Sequence, residues 1–161
     1  MRYPVAIHGG GRALGMLREE FDRHSEVSFH GPYDYRNVPG VYSTLDLVWA
    51  SYPAEDRNVK LAISNKFFES ILFGVPGVFS QGTKLGQMVE SLGIGFSLDP
   101  YDASAIRSWL SRLQADLGWY AGVRSRLLDH RREMENKLTW REQDRLIVDL
   151  LDKTLTRGTA A

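Results

Sequence analysis

A lysine and a glutamate lie in one apolar helical segment in the middle of the chain. Residues 64–73 predict a short helix, and a glycine, a proline and a buried strand follow it. Lys66 stands in the first turn and Glu69 three residues later, near the positive end of the helix dipole. A carboxylate can accept two hydrogen bonds from a diol such as the ribose of a nucleotide. The pattern indicates a ligand-binding carboxylate or, alternatively, a solvated residue at the helix edge.

The ends of this helix are also marked in the sequence. Asn65 is the predicted N-cap, and Gly74 is the residue expected just past the C-terminus. A capping box would require glutamate three residues after the cap, where Phe68 stands instead. Glu69 therefore has no role in the capping pattern.

Strand-like and helix-like segments alternate along the chain, which predicts an α/β fold with a parallel sheet of about five strands and helices on both faces. A stripe formed by Ile106, Trp109, Leu110 and Leu113 predicts a helix packed on that sheet. We expect one domain over residues 1–155 and a flexible tail at 156–161. Strands are expected at 4–8, 26–30, 45–50, 76–80 and 94–98, and helices at about 12–24, 38–44, 64–73, 83–92 and 103–116, with further helices between 119 and 155.

The segments that follow the first two predicted strands are rich in glycine. Ligands of open α/β sheets bind beyond the carboxyl ends of the strands. His8 with Gly9, Gly10 and Gly11 offers backbone amides to a phosphate, or simply forms a tight turn. In the segment Gly31-Pro32-Tyr33, the tyrosine ring either stacks on a base or covers the sheet edge. His8 and His30 end adjacent strands and either flank one ligand or are structural.

Two further polar segments are candidates for a site. A long loop between Ser51 and Asn65 contains Glu55 and Asp56, and long loops in compact domains are often functional. Lys66 either adds charge to helix amides aimed at phosphate or is a surface lysine. The segment Gln81-Gly82-Thr83-Lys84 begins another helix, with Thr83 as its predicted cap.

Composition excludes several classes of function. The 161 residues include 20 basic and 20 acidic side chains and no cysteine. These counts give no electrostatic case for nucleic acid, and they exclude disulfides and thiolate chemistry. The four histidines lack metal-ligand spacing, and no apolar run is long enough for a membrane span, so we expect a cytoplasmic protein without a bound metal. A basic run in the C-terminal helices (Arg124, Arg126, His130, Arg131 and Arg132) is a solvated face or, alternatively, a peripheral membrane contact.

Four segments in order resemble the C-terminal, donor-binding domain of GT-B glycosyltransferases, especially the large retaining family of sucrose and mannosyl transferases. They are the glycine-ended strand at 5–11, the strand and loop at 27–33, the Tyr-x-x-x-Asp segment at 42–46, and the Lys-x-x-Glu helix with Gly-x-Pro at 66–76. The resemblance implies a Rossmann-like three-layer sandwich. It also implies that Glu69 binds the ribose, that the loop at 31–33 lies against the base, and that residues 51–65 face the sugar and pyrophosphate.

The same resemblance implies an activity. The nucleotide-sugar is a substrate and no cofactor is needed, and catalysis depends on Lys66 and Glu69, with helix amides and Lys66 stabilising the leaving diphosphate. The nucleotide-sugar site would comprise His8, Gly9, Gly10, Gly11, Gly31, Tyr33, Glu55, Asp56, Asn65, Lys66, Glu69, Gly82 and Thr83. The expected role is the donor half of a transferase, for example in polysaccharide biosynthesis.

Three departures from the family pattern qualify this interpretation. Leu61 stands where many members carry a second acid, eight residues before the ribose glutamate. The family's first strand and helix, with an Arg and a Lys that hold pyrophosphate, have no counterpart, and neither has its N-terminal acceptor domain. We therefore expect the isolated chain to be inactive and the strands at 4–8 and 45–50 to have exposed edges that favour a homodimer. A sugar-nucleotide epimerase and a non-catalytic nucleotide-binding or assembly module are the alternatives.

Overall fold

The computed structural model describes residues 3–135 and residue 148. The chain divides into two compact units, Met1–Thr44 and Leu45–Ala161. The predicted order of elements and the α/β fold class are confirmed. Helices predicted beyond residue 135 and the tail at 156–161 lie outside the described residues.

The strands are Val5–His8 (β1), Val27–Gly31 (β2), Val48–Ala50 (β3), Gly77–Ser80 (β4) and Phe96–Leu98 (β5). The helices are Leu14–Phe21 (α1), Val38–Tyr42 (α2), Arg57–Leu61 (α3), Asn65–Phe73 (α4), Lys84–Leu92 (α5), Ala103–Ala115 (α6) and Leu117–Met134 (α7).

The first unit contains a two-stranded parallel sheet. β1 and β2 pair from Val5 opposite Val27 onward, and an irregularity between Ile7 and His8 brings His8 opposite Gly31. The Arg18 guanidinium of α1 lies 5.6 Å from the ring centre of Phe29, which places α1 on one face of the sheet. A 3-10 turn, Tyr35–Asn37, leads into α2.

The second unit is a three-layer structure around the parallel sheet β3-β4-β5. All four residues of the central strand β4 are buried. Because successive side chains of a strand point to opposite faces, Val78 and Phe79 belong to different clusters. Val78 packs with residues of β5, α6 and α7, namely Phe96, Leu98, Leu113 and Val123, with Ile106, Trp109 and Leu110 against them. Phe79 packs mainly with residues of α4 and α5, namely Phe67, Ile71, Leu85 and Val89. The predicted α6 stripe is confirmed.

Two details differ from the sequence-based expectation. The five parallel strands form a sheet of two and a sheet of three, because among residues 3–135 no strand pairs with the second edge of β1 or of β3. The segment predicted as one long loop, 51–65, contains the helix α3. Asp56 caps this helix, since its Oδ1 accepts a hydrogen bond of 2.7 Å from the Asn58 amide.

Candidate functional site

Helix α4 carries the lysine and glutamate singled out in the sequence, and its ends are well defined. The predicted N-cap, Asn65, is wrong by one residue: Ser64 has extended backbone angles, and its Oγ accepts a 3.2 Å hydrogen bond from the Lys66 amide. Asn65 is the first helical residue. Gly74 ends the helix in the left-handed conformation at φ 67°, as predicted, where a side chain would be strained.

Glu69 is buried, with only 5% of its surface exposed. Its neighbours along the helix, Phe67 and Ile71, belong to the apolar cluster beneath the sheet. The Lys66 Nζ lies 2.7 Å from Glu69 Oε2, and 30% of the lysine side chain is exposed. The alternative of a solvated Glu69 is therefore wrong. A buried carboxylate is costly unless it is paired, and Lys66 supplies the opposite charge.

Side-chain and backbone hydrogen bonds connect the carboxyl ends of the strands in the second unit. The Ser51 hydroxyl donates to the Leu98 carbonyl at 2.7 Å, and the Tyr52 amide donates to Ser80 Oγ at 2.8 Å. The Gln81 amide donates to the same Leu98 carbonyl at 3.0 Å. The segments that follow β3, β4 and β5 are thus held together. Because α4 packs on β3 and β4 and leads directly into β4, its first turn should lie toward this edge.

The loop after β4 has the shape predicted for a helix start. Thr83 is the N-cap of α5: its Oγ1 accepts a 3.0 Å hydrogen bond from the Gly86 amide and donates a 2.7 Å bond to the Ser80 carbonyl. Gly82, with φ 74°, requires glycine and has no atom within 4 Å of the position that a Cβ would occupy. Space beside the start of α5 is therefore open.

In the first unit, the histidines at the ends of β1 and β2 contact each other. The rings of His8 and His30 are stacked, with centroids 4.4 Å apart and planes 8° from parallel, and Tyr33 meets His8 edge-on at 6.1 Å. Burial, and secondarily the charge of His30, lower the pKa of His8. The sequence left open whether the two histidines flank one ligand or are structural. In the structure their rings contact each other directly.

Hydrogen bonding through Ser28 fixes the tautomer of neutral His30. Ser28 Oγ lies 3.3 Å from the Val5 carbonyl oxygen and 3.0 Å from His30 Nε2. A carbonyl only accepts, so the hydroxyl proton goes to Val5, and the hydroxyl oxygen accepts from His30 Nε2–H. The lone pair of neutral His30 is then on Nδ1.

A cavity of about 530 Å³ lies beside the histidine pair. It lies between one face of β1–β2 and the segment from the 3-10 turn to residue 44. Its lining residues are Ala6, His8, His30, Arg36, Asn37, Gly40, Val41 and Thr44. Arg36 pairs with Asp34, 2.7 Å away. Sequence reasoning missed Arg36 and Asn37, and the only signal for them was their position soon after the second strand.

The glycines of these loops have different roles. Gly9 at φ 132° and Gly31 at φ 71° adopt conformations that favour glycine. A Cβ on Gly10 would lie 3.1 Å from Pro32, so the loops after β1 and β2 approach closely, whereas Gly11 has open surroundings. The structure thus brings together His8, Gly10, Gly31 and Tyr33. The sequence also predicts that Glu69 lies near these loops. Because Glu69 and the loops belong to different units, their proximity stays a prediction.

The remaining candidates lie on the surface. Glu55, Asp56, Asn65 and Leu61 are exposed, and Asp56 is occupied as the cap of α3. Within residues 3–135 and residue 148, no group of three possible metal-ligating side chains occurs. In that same part of the chain, no helix has the length and apolar character needed to cross a bilayer.

The fold of this chain, with its parallel strands, flanking helices and Gly-x-Pro turn between α4 and β4, is like that of GT-B glycosyltransferases. No family model matches the sequence, and no curated protein matches it. The likeness is structural.

Solved structures show this fold at low sequence identity. HepE from Anabaena in complex with UDP superposes with a TM-score of 0.69 and 16% identity, over 94% of this chain and 41% of HepE. Its complex with UDP-glucose gives a TM-score of 0.63 and 18% identity, over 80% of this chain and 35% of HepE. Sucrose-phosphate synthase from Thermosynechococcus elongatus gives 0.67 and 20%, over 96% and 39%. The chain therefore spans about two fifths or less of the proteins that it resembles.

Proposed function

We propose that this chain is the donor-binding part of a glycosyltransferase that uses a nucleotide-sugar. The observation that carries the proposal is the buried Glu69 carboxylate in the middle of α4, within a fold like that of HepE, which was solved with UDP and with UDP-glucose. Glu69 would accept hydrogen bonds from the ribose diol. A carboxylate is retained in an apolar environment only where pairing compensates its burial, and a ligand-binding role explains why it is retained.

The diphosphate would lie at the starts of the helices in the second unit. The first turns of α4 and α5 are the positive ends of their helix dipoles and attract negative charge, and the open space at Gly82 leaves room beside Thr83. These fixed dipoles would stabilise the charge that develops on the leaving diphosphate, with no metal required.

The acceptor would bind outside these 161 residues. The chain spans 35–41% of the solved structures named above, and an acceptor-binding domain N-terminal to this one would complete the enzyme. We expect the isolated chain to bind donor without turnover. A cytoplasmic role in polysaccharide biosynthesis, with a glycan or lipid acceptor, fits this assignment.

We also propose association of two chains through strand edges. β1 and β3 each pair on one edge within the described residues, and Val5 and Trp49 on these strands are each 46% exposed. Exposed edges of this kind favour pairing between chains. Light scattering should show a dimer, and a clean monomer at all concentrations would contradict it.

Membrane contact through the basic run of α7 is less favoured, because Arg124 and Arg126 donate to backbone carbonyls.

A non-catalytic nucleotide-binding module is the second candidate. Leu61 stands where the resembled family often carries a sugar-contacting acid. In the structure this leucine is 60% exposed. Such a module would bind nucleotides but transfer no sugar even when joined to an acceptor domain.

Thermal shift with UDP-, GDP- and ADP-sugars tests the assignment. A ligand at one hundred times its dissociation constant should stabilise the native state by about 2.7 kcal/mol. Glu69→Gln should weaken the binding of the active nucleotide by about 1.5–3 kcal/mol, the range for hydrogen bonds to charged groups, with little change in stability. Glu90→Gln, on the exposed face of α5, is the matched control. If no nucleotide stabilises the folded chain, or if Glu69→Gln only lowers stability, the assignment is wrong.

A further inference from the structure

The ion pair between Lys66 and Glu69 assigns the lysine a different role from the one expected from its position. A lysine in the first turn of a helix is well placed to contact a bound phosphate. In the structure its ammonium lies 2.7 Å from Glu69 Oε2. The lysine is directed at the carboxylate three residues further along its own helix.

Burial explains why this contact is needed. Only 6% of the Glu69 side chain is exposed, whereas 30% of the Lys66 side chain is. A carboxylate in such surroundings takes up a proton unless an opposite charge lies close to it. A protonated Glu69 would present one donor and a weaker acceptor where a diol requires two acceptor oxygens. The Lys66 ammonium would therefore determine whether Glu69 can accept both hydrogen bonds of a diol.

We propose that Lys66 is a positioning residue, which holds the Glu69 carboxylate ionised and oriented for a ribose diol and makes no contact with phosphate. This inference depends on the proposed function. It places the contribution of Lys66 in ribose recognition, so that nucleosides and nucleotides depend on it equally.

Calorimetry with nucleosides and their diphosphates separates the two roles of Lys66. The ligands are uridine, guanosine and adenosine with UDP, GDP and ADP, and the variants are Lys66→Met, Lys66→Arg, Glu69→Gln and the double variant Lys66→Met/Glu69→Gln. Lys66→Met should lower the affinity for a nucleoside and for its diphosphate by the same factor, about tenfold or more, and should add nothing to Glu69→Gln. Lys66→Arg should restore binding. Lys60→Met, on the exposed surface of α3, is the control.

A loss confined to the diphosphate would overturn the proposal, since it would show that Lys66 contacts phosphate. Additive losses in the double variant would overturn it as well. A purely structural role predicts lower stability of Lys66→Met without a loss of nucleoside affinity that depends on Glu69.

Rescue by arginine gives a readout that a structural role does not move. Lys66→Arg keeps a positive charge beside the Glu69 carboxylate, whereas Lys66→Met keeps an apolar side chain of similar length without the charge. The affinity for a nucleoside should therefore fall in Lys66→Met and return in Lys66→Arg, and denaturant titrations of both variants measure any accompanying change in stability.

The two proposals fail in different ways. If the folded wild type binds none of the six ligands, the proposed function and the ribose role both fail. If it binds a nucleoside but Lys66→Met binds that nucleoside with unchanged affinity, or Lys66→Arg does not restore the affinity, the proposed function stands and the positioning role is overturned.

Discussion

The two parallel sheets of this chain differ in how completely they are buried. In the second unit, every residue of the central strand β4 is buried, and apolar clusters lie on both of its faces. In the first unit, neither α1 nor the strands β1 and β2 contain a fully buried residue. A central strand requires neighbours on both edges and helices on both faces, and only β4 has all of them. The candidate site of the second unit is thus built on the more completely buried sheet.

The glycines show the same difference. In the second unit, an added Cβ on Gly77, Gly86 or Gly95 would overlap with neighbouring atoms. In the first unit, five of the six glycines have no atom within 4 Å of that position; they are Gly9, Gly11, Gly15, Gly31 and Gly40. Glycine therefore permits close packing at several positions of the second unit, whereas most glycines of the first unit have room for a side chain.

The largest effect should come from a cavity in the tighter core. Phe79 is 1% exposed, so Phe79→Ala should cost about 3–5 kcal/mol of unfolding free energy. Phe29 on β2 is only half-buried, and Phe29→Ala should cost about 1–2 kcal/mol. Urea denaturation of both variants measures the difference. Equal losses would show that the first unit is packed as tightly as the second.

A pair of glycine substitutions sharpens the comparison. The methyl group of Gly95→Ala would lie 2.7 Å from the Gly77 carbonyl oxygen, and because that oxygen belongs to a buried strand it cannot move aside. Overpacking of this kind costs about 1–3 kcal/mol. Gly15→Ala, in the open surroundings of α1, should instead stabilise the protein by about 0.5–1 kcal/mol through helix propensity. Thermal unfolding of the two variants should shift in opposite directions, and shifts of the same sign would contradict the difference in packing.

Local sequence patterns were enough to predict most of the elements. The five strands appear within three residues of their predicted bounds, because buried strands are short apolar runs between turn residues. Helix α3 was missed because its residues are mostly polar and its length is only five, so no apolar period marks it. The cap of α4 was placed on Asn65 because serine and asparagine are equally good caps, and only the backbone angles of Ser64 distinguish them.

The site was less predictable, because its contacts depend on burial and on register between strands. Lys66 and Glu69 were both identified, and their i,i+3 spacing permits an ion pair, but the burial of Glu69 depends on tertiary packing, which the helix sequence alone does not fix. The rings of His8 and His30 stack although a register irregularity brings His8 opposite Gly31 rather than opposite His30. No local pattern predicts such a shift.

Two arginines on α7 donate hydrogen bonds to the residues that end helices α4 and α5 in the second unit, and substitutions test what these bonds contribute to stability. The Arg126 Nε donates a 2.9 Å hydrogen bond to the carbonyl of Gly93, which ends α5 in the left-handed conformation, and Arg124 does the same for Gly74 after α4 at 3.3 Å. Arg126→Gln should cost about 1 kcal/mol, since it removes a charge at the negative end of a helix. Arg132→Gln breaks only a surface pair with Asp129 and should cost less than about 0.5 kcal/mol. Equal losses of unfolding free energy for the two variants in denaturant titrations would show that the basic run is only a solvated face.

The smallest effect concerns the open face of the first unit, and it depends on pH. Burial and the neighbouring His30 lower the pKa of His8 below 6.5, so the folded state resists protonation there while the unfolded state does not. The charged and titratable groups around it are His30 on β2, Tyr33 and Arg36. Stability is therefore complete above about pH 6.5 and falls as the pH drops through the lowered folded pKa.

His8→Gln should flatten this decline of the unfolding free energy between about pH 7 and pH 5, because it removes the titrating ring. His130→Gln removes a histidine from α7 in the other unit and should leave the slope unchanged. Denaturant titrations at several pH values measure both. If His8→Gln and the wild type lose stability in parallel, the stacked pair does not resist protonation, and the cavity beside it is better solvated than its lining indicates.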